Sequence, residues 1–302
     1  MIGDEQTSMP LGASVSRGAV AQVVVLGILI VWVYRPAIDL MVHQWQEDGN
    51  WSHGWLVPVF SLYFLLMHRQ DLFAARRRAS YVGAVVLLAS LALYYGSYLA
   101  GPVYPQQFSL VPCVLGLVLL IGGWGILRVT WFPIVYLLFA IPLPHTVYVA
   151  LTLPLRKIAS MVAGAALRLF PEVYTQVQGV VVDYEYQERV GSLNVEQACS
   201  GMRLMMAFCA LGVAMAYLGD RPLWQRVVMV LCCVPIAVLC NTIRVFSTGV
   251  IHVYGFDDWA QGTAHELLGL SMLLIALGLF SLLSNVLRRI VVEDVEDEVG
   301  AE

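Results

Sequence analysis

Three residues in the second half of the chain have types that together can carry out acyl transfer: Cys199, Arg244 and His265. Cys199 lies in Glu196-Gln197-Ala198-Cys199-Ser200-Gly201-Met202-Arg203, where a polar stretch gives way to an apolar run. A thiol at the start of a helix feels unpaired N–H groups and the positive end of the helix dipole. Both favour the thiolate, which is the nucleophilic form. Arg203 is four residues on, so it shares a helix face with Cys199, and its cation would lower the thiol pKa further. Arg244 closes Asn241-Thr242-Ile243-Arg244, with Asn241 three residues before it on the same face. An arginine so placed can hold a substrate carbonyl or stabilise the oxyanion of acyl transfer. His265, in Ala264-His265-Glu266, can serve as general base and acid. The chemistry such a trio supports starts with attack of the thiolate on a peptide carbonyl. Arg244, with backbone N–H groups near Ser200, stabilises the tetrahedral oxyanion, and His265 protonates the leaving amine. Water or another nucleophile then resolves the thioacyl enzyme.

Each residue also has a plainer reading. Cys199 fits a packing cysteine at a helix cap, Arg244 a snorkelling arginine at a helix end, and His265 an amphipathic anchor at an interface. Rivals exist too. Cys240 is four residues before Arg244 and competes as nucleophile, and His252 competes with His265. The expected supporting and substrate-binding set is Glu196, Ser200, Arg203, Asn241 and His53, the last read as a groove or structural residue. The six cysteines are Cys113, Cys199, Cys209, Cys232, Cys233 and Cys240, and all but Cys199 lie inside long apolar runs. Their spacing matches neither a disulfide framework nor a zinc site, so no metal and no organic cofactor is expected.

Composition says what must position these groups. The 302 residues are 59% hydrophobic and 13% charged, about half the charge that a soluble domain of roughly 25% charged residues carries. Most of the surface therefore faces lipid. Charge is unevenly placed, and no basic patch suggests nucleic acid. A spanning helix needs about 20 mostly apolar residues. Gly18–Tyr34 and Trp51–Met67 are the first two such runs. Ala79–Leu127 is too long for one pass and breaks at Gly101-Pro102-Val103-Tyr104-Pro105, giving a third and a fourth helix. Val129–Ile141 is the fifth, Cys199–Tyr217 the sixth, Val227–Ser247 the seventh and His265–Leu287 the eighth. The first run is polar on its N-terminal side and shows no cleavage site, so it is read as a retained helix.

The segment 146–170 is apolar but carries Arg156, Lys157 and Pro154, which favours an interfacial or re-entrant helix pair over a span. From Gln176 to Val195 polar and apolar residues alternate. Val180–Tyr186 reads as a strand and Gly191-Ser192 as a turn, hence a small β-hairpin outside the membrane. The expected class is an all-α polytopic membrane protein of about eight helices, with that hairpin and interfacial helices. Arg17, Arg69, Arg76–Arg78, Arg128, Arg221, Arg226, Arg288 and Arg289 then fall on one side, which is the cytoplasm by the positive-inside rule. Residues 1–17 and the acidic segment 291–302 are expected in the cytoplasm, 18–290 in the transmembrane domain, and 142–198 as its extracytoplasmic insert. Cys199, Arg244 and His265 then share the outer membrane face.

At this point the sequence resembles the exosortase/archaeosortase family. The resemblance rests on Ala198-Cys199-Ser200-Gly201-Met202-Arg203, Asn241-Thr242-Ile243-Arg244 and His265 at the start of the last helix. Ser52-His53-Gly54-Trp55-Leu56-Val57-Pro58 and Ile141-Pro142-Leu143-Pro144 add to it, in order, over roughly Trp51 to Leu287. The resemblance implies a sortase-like cysteine protease or transpeptidase of the bacterial inner membrane, with its site facing the periplasm. Its partners would be exported proteins bearing a C-terminal signal, composed of a short motif such as Pro-Glu-Pro, a transmembrane helix and a basic cluster, often in bacteria that make exopolysaccharide. The family's cysteine, arginine and histidine carry over to Cys199, Arg244 and His265. Two other classes compete: a transporter using Arg203 and Arg244 along an anion path, against which no inverted repeat is visible, and a non-catalytic factor for polysaccharide export.

Overall fold

The computed structural model describes residues 17–187, 189–195, 202–219, 221–256 and 263–299. They divide into two compact units. One runs through Glu47 and over Gly54–Pro142, the other over Asp48–His53 and from Leu143 onward.

In the first unit, α1 (Arg17–Val33) and α2 (Arg35–Glu47) meet at a 71° bend. Tyr34 fills the bend. It is fully buried, lies 4.5 Å from the Tyr94 ring and shares a hydrogen bond of 3.1 Å with Ser109 Oγ. α2 buries Ala37, Met41 and Trp45, a stripe at four-residue spacing that presents one apolar face. The run Trp51–Met67 divides into a 3₁₀ segment, Gly49–Trp55, and α3, Leu56–Met67. The Trp45 ring covers Gly54 so closely that a Cβ there would lie 2.5 Å from Trp45 Cδ1, and the chain tightens under it. After the short α4 (Arg69–Ala74) come α5 (Tyr81–Ala100), α6 (Val103–Phe108), α7 (Leu110–Ile121) and α8 (Gly123–Tyr136), the last followed by a 3₁₀ turn to Ala140.

The sequence places the break between the fourth and fifth runs at Arg128; the structure moves it to Gly122-Gly123 and leaves Arg128 inside α8. The reason is a close backbone approach. Arg78 N–H bonds Gly122 O at 3.2 Å, Gly123 has φ +73°, and a side chain at Gly123 or Gly125 would meet the carbonyls of Arg78 or Arg76.

In the second unit, α9 (His145–Leu167) is one helix where a pair is expected, with Pro154 inside it. β1 (Val173–Gln178), β2 (Val181–Tyr186) and β3 (Arg189–Asn194) form an antiparallel sheet in the order β1-β2-β3. The expected hairpin thus gains a strand, and its turn moves. Gly191-Ser192 lies within β3, where Gly191 pairs with Tyr184 and is covered by that ring. The chain reverses instead at Gly179 (φ +64°) and Gln187 (φ +56°). The sheet lies along the second half of α9. Ser160 Oγ donates to Gly179 O at 2.7 Å, Thr175 Oγ1 to Gly164 O at 2.9 Å, and Arg168 Nε to Thr175 O at 3.0 Å. Beneath it, Ala159, Ala163, Leu167, Val173, Val182, Leu193 and Val195 form a core that Val245 and Val253 complete. Three further helices follow: α10 (Met202–Leu218), α11 (Leu223–Val253) and α12 (Thr263–Val299).

Among the described residues six helices are long and apolar enough to cross a membrane, or seven counting the bent α1–α2 pair as one, and α10 contributes a shorter apolar segment, Met206–Leu218. The chain is a multi-pass membrane protein, mostly helical, with a small three-stranded sheet. α9 qualifies by length and composition. However, its sheet-free part, His145–Ile158, is only about 21 Å long at 1.5 Å per residue, against a hydrocarbon core of ~30 Å. Polar strands packed beside the remainder belong in water, so the geometry favours the interfacial reading.

Candidate functional site

The site rests on the register of α10, α11 and α12. Gly212 on α10 packs on Cys233 of α11 and Phe280 of α12; a Cβ at Gly212 would lie 2.9 Å from Phe280 Cζ. One turn along, Phe208, Ala237 and Ala276 join the same buried cluster, and beyond them come Cys240 and Met272. Continuing along α11 for a further turn gives Arg244. Its Nη2 lies 4.0 Å from the Cβ position of Gly269 on α12. Continuing along α10 gives its first described residue, Met202. Arg244 and Gly269 therefore occupy one layer at one end of the three-helix bundle, and at 1.5 Å per residue the start of α10 at Met202 reaches about the same level.

The other end is also pinned. Gln225 Nε2 donates to Leu287 O at 2.9 Å. Between the two pinned layers α11 advances about 28 Å and α12 about 27 Å at 1.5 Å per residue, close to the ~30 Å of a hydrocarbon core. Residues of α11 beyond Arg244 face the sheet: Val245 and Val253 are in its core, and a Cβ at Gly249 would sit 3.5 Å from Leu193 Cδ2. Arg244 thus sits where α11 leaves the apolar slab. That level suits a cation whose burial at mid-membrane would be costly. The residue is 2% exposed.

Two buried polar atoms flank it. Asn241 Oδ1 and Thr248 Oγ1 have no hydrogen-bond partner among the described residues, and Thr248 is 2% exposed. Asn241, Arg244 and Thr248 recur at spacings of three and four, so they line one face of α11. Buried polar atoms are nearly always satisfied, and these two mark a face whose hydrogen-bonding capacity the described residues leave open. Thr248 was not among the residues singled out from the sequence. The signal was available: it continues the Asn241–Arg244 stripe by one turn.

Cys240 is fully buried in the apolar cluster with Phe208, Ala237, Met272 and Ala276, away from water. His252 lies two turns past Arg244, about 12 Å along the α11 axis, near the end of the helix. Position 265 is in the first turn of α12, one turn before Gly269 and therefore about 6 Å along that axis from the Arg244 layer. His53 is nearly buried beside Trp51, with ring centroids 6.0 Å apart, and Trp51 lies 5.8 Å from Tyr148 of α9. Those contacts fit a residue that seats the Asp48–His53 segment on α9.

Glu196, Cys199 and Ser200 lie outside the described residues. Arg203 and His265 are placed as helix positions, and their side chains are outside the described set. Among the described residues no group of three or more His, Cys, Asp or Glu side chains is arranged to hold a metal.

No curated protein and no solved structure matches the chain significantly. A family model described as transmembrane exosortase (Exosortase_EpsH) matches residues 45–282. That interval runs from the end of α2 into α12 and takes in every residue named above as a site candidate. Matched over most of its length and built as a multi-pass helical membrane protein, the chain belongs to the transmembrane exosortase family.

Proposed function

We propose that this membrane sorting enzyme acts by thiol chemistry at the Met202–Arg244–Gly269 layer, cleaving a C-terminal sorting signal of exported proteins and transferring the product to an acceptor. Membership of the family implies a sorting enzyme with sorting-signal substrates; the residue roles are the proposal. The observation that carries it is the shared layer. Cys199 is three residues before Met202, and three residues of chain reach at most about 10 Å. The nucleophile is therefore tethered within reach of the Arg244 guanidinium, while His265 approaches from the adjoining helix. Arg203, one residue into α10, adds positive charge on the thiol side and favours the thiolate.

The mechanism follows. The Cys199 thiolate attacks the scissile carbonyl, and its carbon–oxygen π electrons move onto oxygen. Arg244 donates hydrogen bonds to that oxyanion. Collapse expels the amine, which His265 protonates, leaving a thioester on Cys199. An acceptor amine or water then attacks the thioester and restores the thiol. Asn241 and Thr248, along the α11 face that carries Arg244, hold the substrate backbone through their unused polar atoms. Glu196 and Ser200 complete the substrate-binding set, and His53 takes the structural role that its contacts beside Trp51 fit. A helical substrate enters sideways from lipid and presents the residues just outside its membrane segment to this level. The site faces the periplasm, with both termini in the cytoplasm.

The test is a processing assay in membranes with an exported substrate bearing the candidate signal. Cys199→Ala is expected to abolish cleavage, and Cys240→Ala, which shortens a side chain inside the apolar cluster, to retain it within a few fold. Expression and insertion of each variant are checked in the same membranes. Continued processing by Cys199→Ala would remove the thiol mechanism and favour the assembly-factor or transport readings.

A further inference from the structure

The end of the α10–α12 bundle opposite Arg244 carries a second polar construction that the proposed reaction does not use. Arg221 precedes α11, and its guanidinium is folded against α12. Nη2 bonds Ser284 Oγ, and Nη1 bonds Ser284 O at 3.3 Å and Met229 Sδ at 3.4 Å. Its Nε is buried with no hydrogen-bond partner among the described residues. Arg288 is one turn past Ser284 on the same face of α12. Arg226 sits in the first turn of α11 and donates from Nε to Arg221 O at 3.1 Å, which brings it to the same corner. None of the three has an ion-pair partner among the described residues. The Arg221 pKa is lowered by burial and then by the charge of Arg288, so the cations work against one another.

Cations that converge with no carboxylate among the described side chains call for an anion, and the surroundings say which kind. Leu223 and Trp224 project from the first turn of α11 and are 76% and 47% exposed. An exposed tryptophan beside an apolar span marks the headgroup level of a bilayer. The Gln225–Leu287 bond places this corner at the edge of the hydrocarbon slab. The anion that is abundant at that depth is a lipid phosphate, and basic corners between transmembrane helices are suited to anionic headgroups.

We propose that Arg221, Arg226 and Arg288 form a binding site for the phosphate of an anionic phospholipid. Arg221 is the fixed floor of the site, bolted to α12 through Ser284. Arg226 and Arg288 close on the headgroup from either helix, and Trp224 and Leu223 lie along its acyl chains. Lipid bound there ties the start of α11 to the end of α12, the same two helices whose far ends carry Arg244 and Gly269.

The experiment uses the full chain in phosphatidylcholine nanodiscs, with phosphatidylglycerol added in steps and the thermal unfolding midpoint read at each step. The wild-type midpoint is expected to rise by about 4 °C as the site fills. Arg226→Gln/Arg288→Gln should lose at least half of that rise, and Arg76→Gln/Arg77→Gln should keep it. Arg221 is left in place because it also joins α11 to α12. Equal rises in both double variants would overturn the proposal, since the effect would then be general surface charge. An equal rise from inorganic phosphate in pure phosphatidylcholine discs would overturn the lipid assignment. No rise in the wild type would remove the site altogether.

Discussion

Arg244 and Thr248 separate what a residue does for the fold from what it does for the substrate. A lysine at 244 keeps the positive charge but loses the planar fork that donates two bonds to one oxygen-bearing group. Removing one oxyanion donor typically costs about 10²–10³ in rate. Arg244→Lys is therefore expected to lower processing by roughly 10²-fold at unchanged protein level, measured as the initial rate of product appearance in membranes. A loss below tenfold would place Arg244 outside the reacting centre. Thr248→Val makes the opposite demand on stability. It replaces a buried hydroxyl that has no partner among the described residues with a methyl of similar size, so stability should hold or rise by up to about 1 kcal/mol. Processing should nevertheless fall by about tenfold, the worth of one substrate hydrogen bond at ~1.4 kcal/mol. A Thr248→Val variant that is more stable and equally active would show that the hydroxyl touches no substrate.

At the scale of elements, the small residues set the layers. Gly212 has no room for a side chain between Cys233 and Phe280. Gly212→Val would push α10 off its two neighbours at a cost of about 1–3 kcal/mol, and would shift the start of α10 relative to Arg244. Processing is expected to fall more than protein level does. Adding Phe280→Ala should recover part of both, because the double variant restores space in the same layer. Strict additivity of the two single variants would show that the layer does not couple them. The same comparison shows what a sequence can disclose. Apolar runs disclose helices because burial in lipid is written in composition. The Asn241–Arg244 pair is visible because polar residues in such a run are costly. The break at Gly122-Gly123 was not visible, because it depends on the carbonyls of Arg76 and Arg78 arriving from elsewhere in the chain. Gly191 reads as a turn residue from its type alone, and only the Tyr184 ring across the strand pair explains a glycine there. The Cys199 motif is a reading of the sequence alone, since Cys199 lies outside the described residues, whereas the contact between Arg244 and Gly269 required the packing.

At the scale of the whole molecule, the passage of α9 decides the direction of everything after it. If α9 lies in the interface, the sheet stays on the side where α9 begins. The arginines at 221, 226, 288 and 289 then return to the side of Arg76–Arg78, as the positive-inside rule requires. If α9 crosses, the sheet moves to the far side and the two groups of arginines end on opposite faces of the membrane. The sheet stacked along residues 160–167 favours the first arrangement, since it leaves about 21 Å of bare helix. The prediction concerns two positions on either side of α9: Asn50, half-buried before it, and Tyr174, which is 72% exposed on β1 after it. In a Cys199→Ala background, Asn50→Cys and Tyr174→Cys should both react with a membrane-impermeant maleimide added to intact spheroplasts. Asp71→Cys, in the arginine-rich segment between α3 and α5, should react only after permeabilisation. The native cysteines at 113, 233 and 240 are buried, and the half-buried Cys209 and Cys232 are controlled for by labelling the Cys199→Ala chain without an added cysteine. Labelling of Asn50→Cys but not Tyr174→Cys would establish α9 as a span. It would also place the Met202–Arg244–Gly269 layer on the cytoplasmic side, where an exported substrate cannot present a cleavage motif. A single pair of labelling reactions therefore tests the topology and the accessibility of the site to its substrate together.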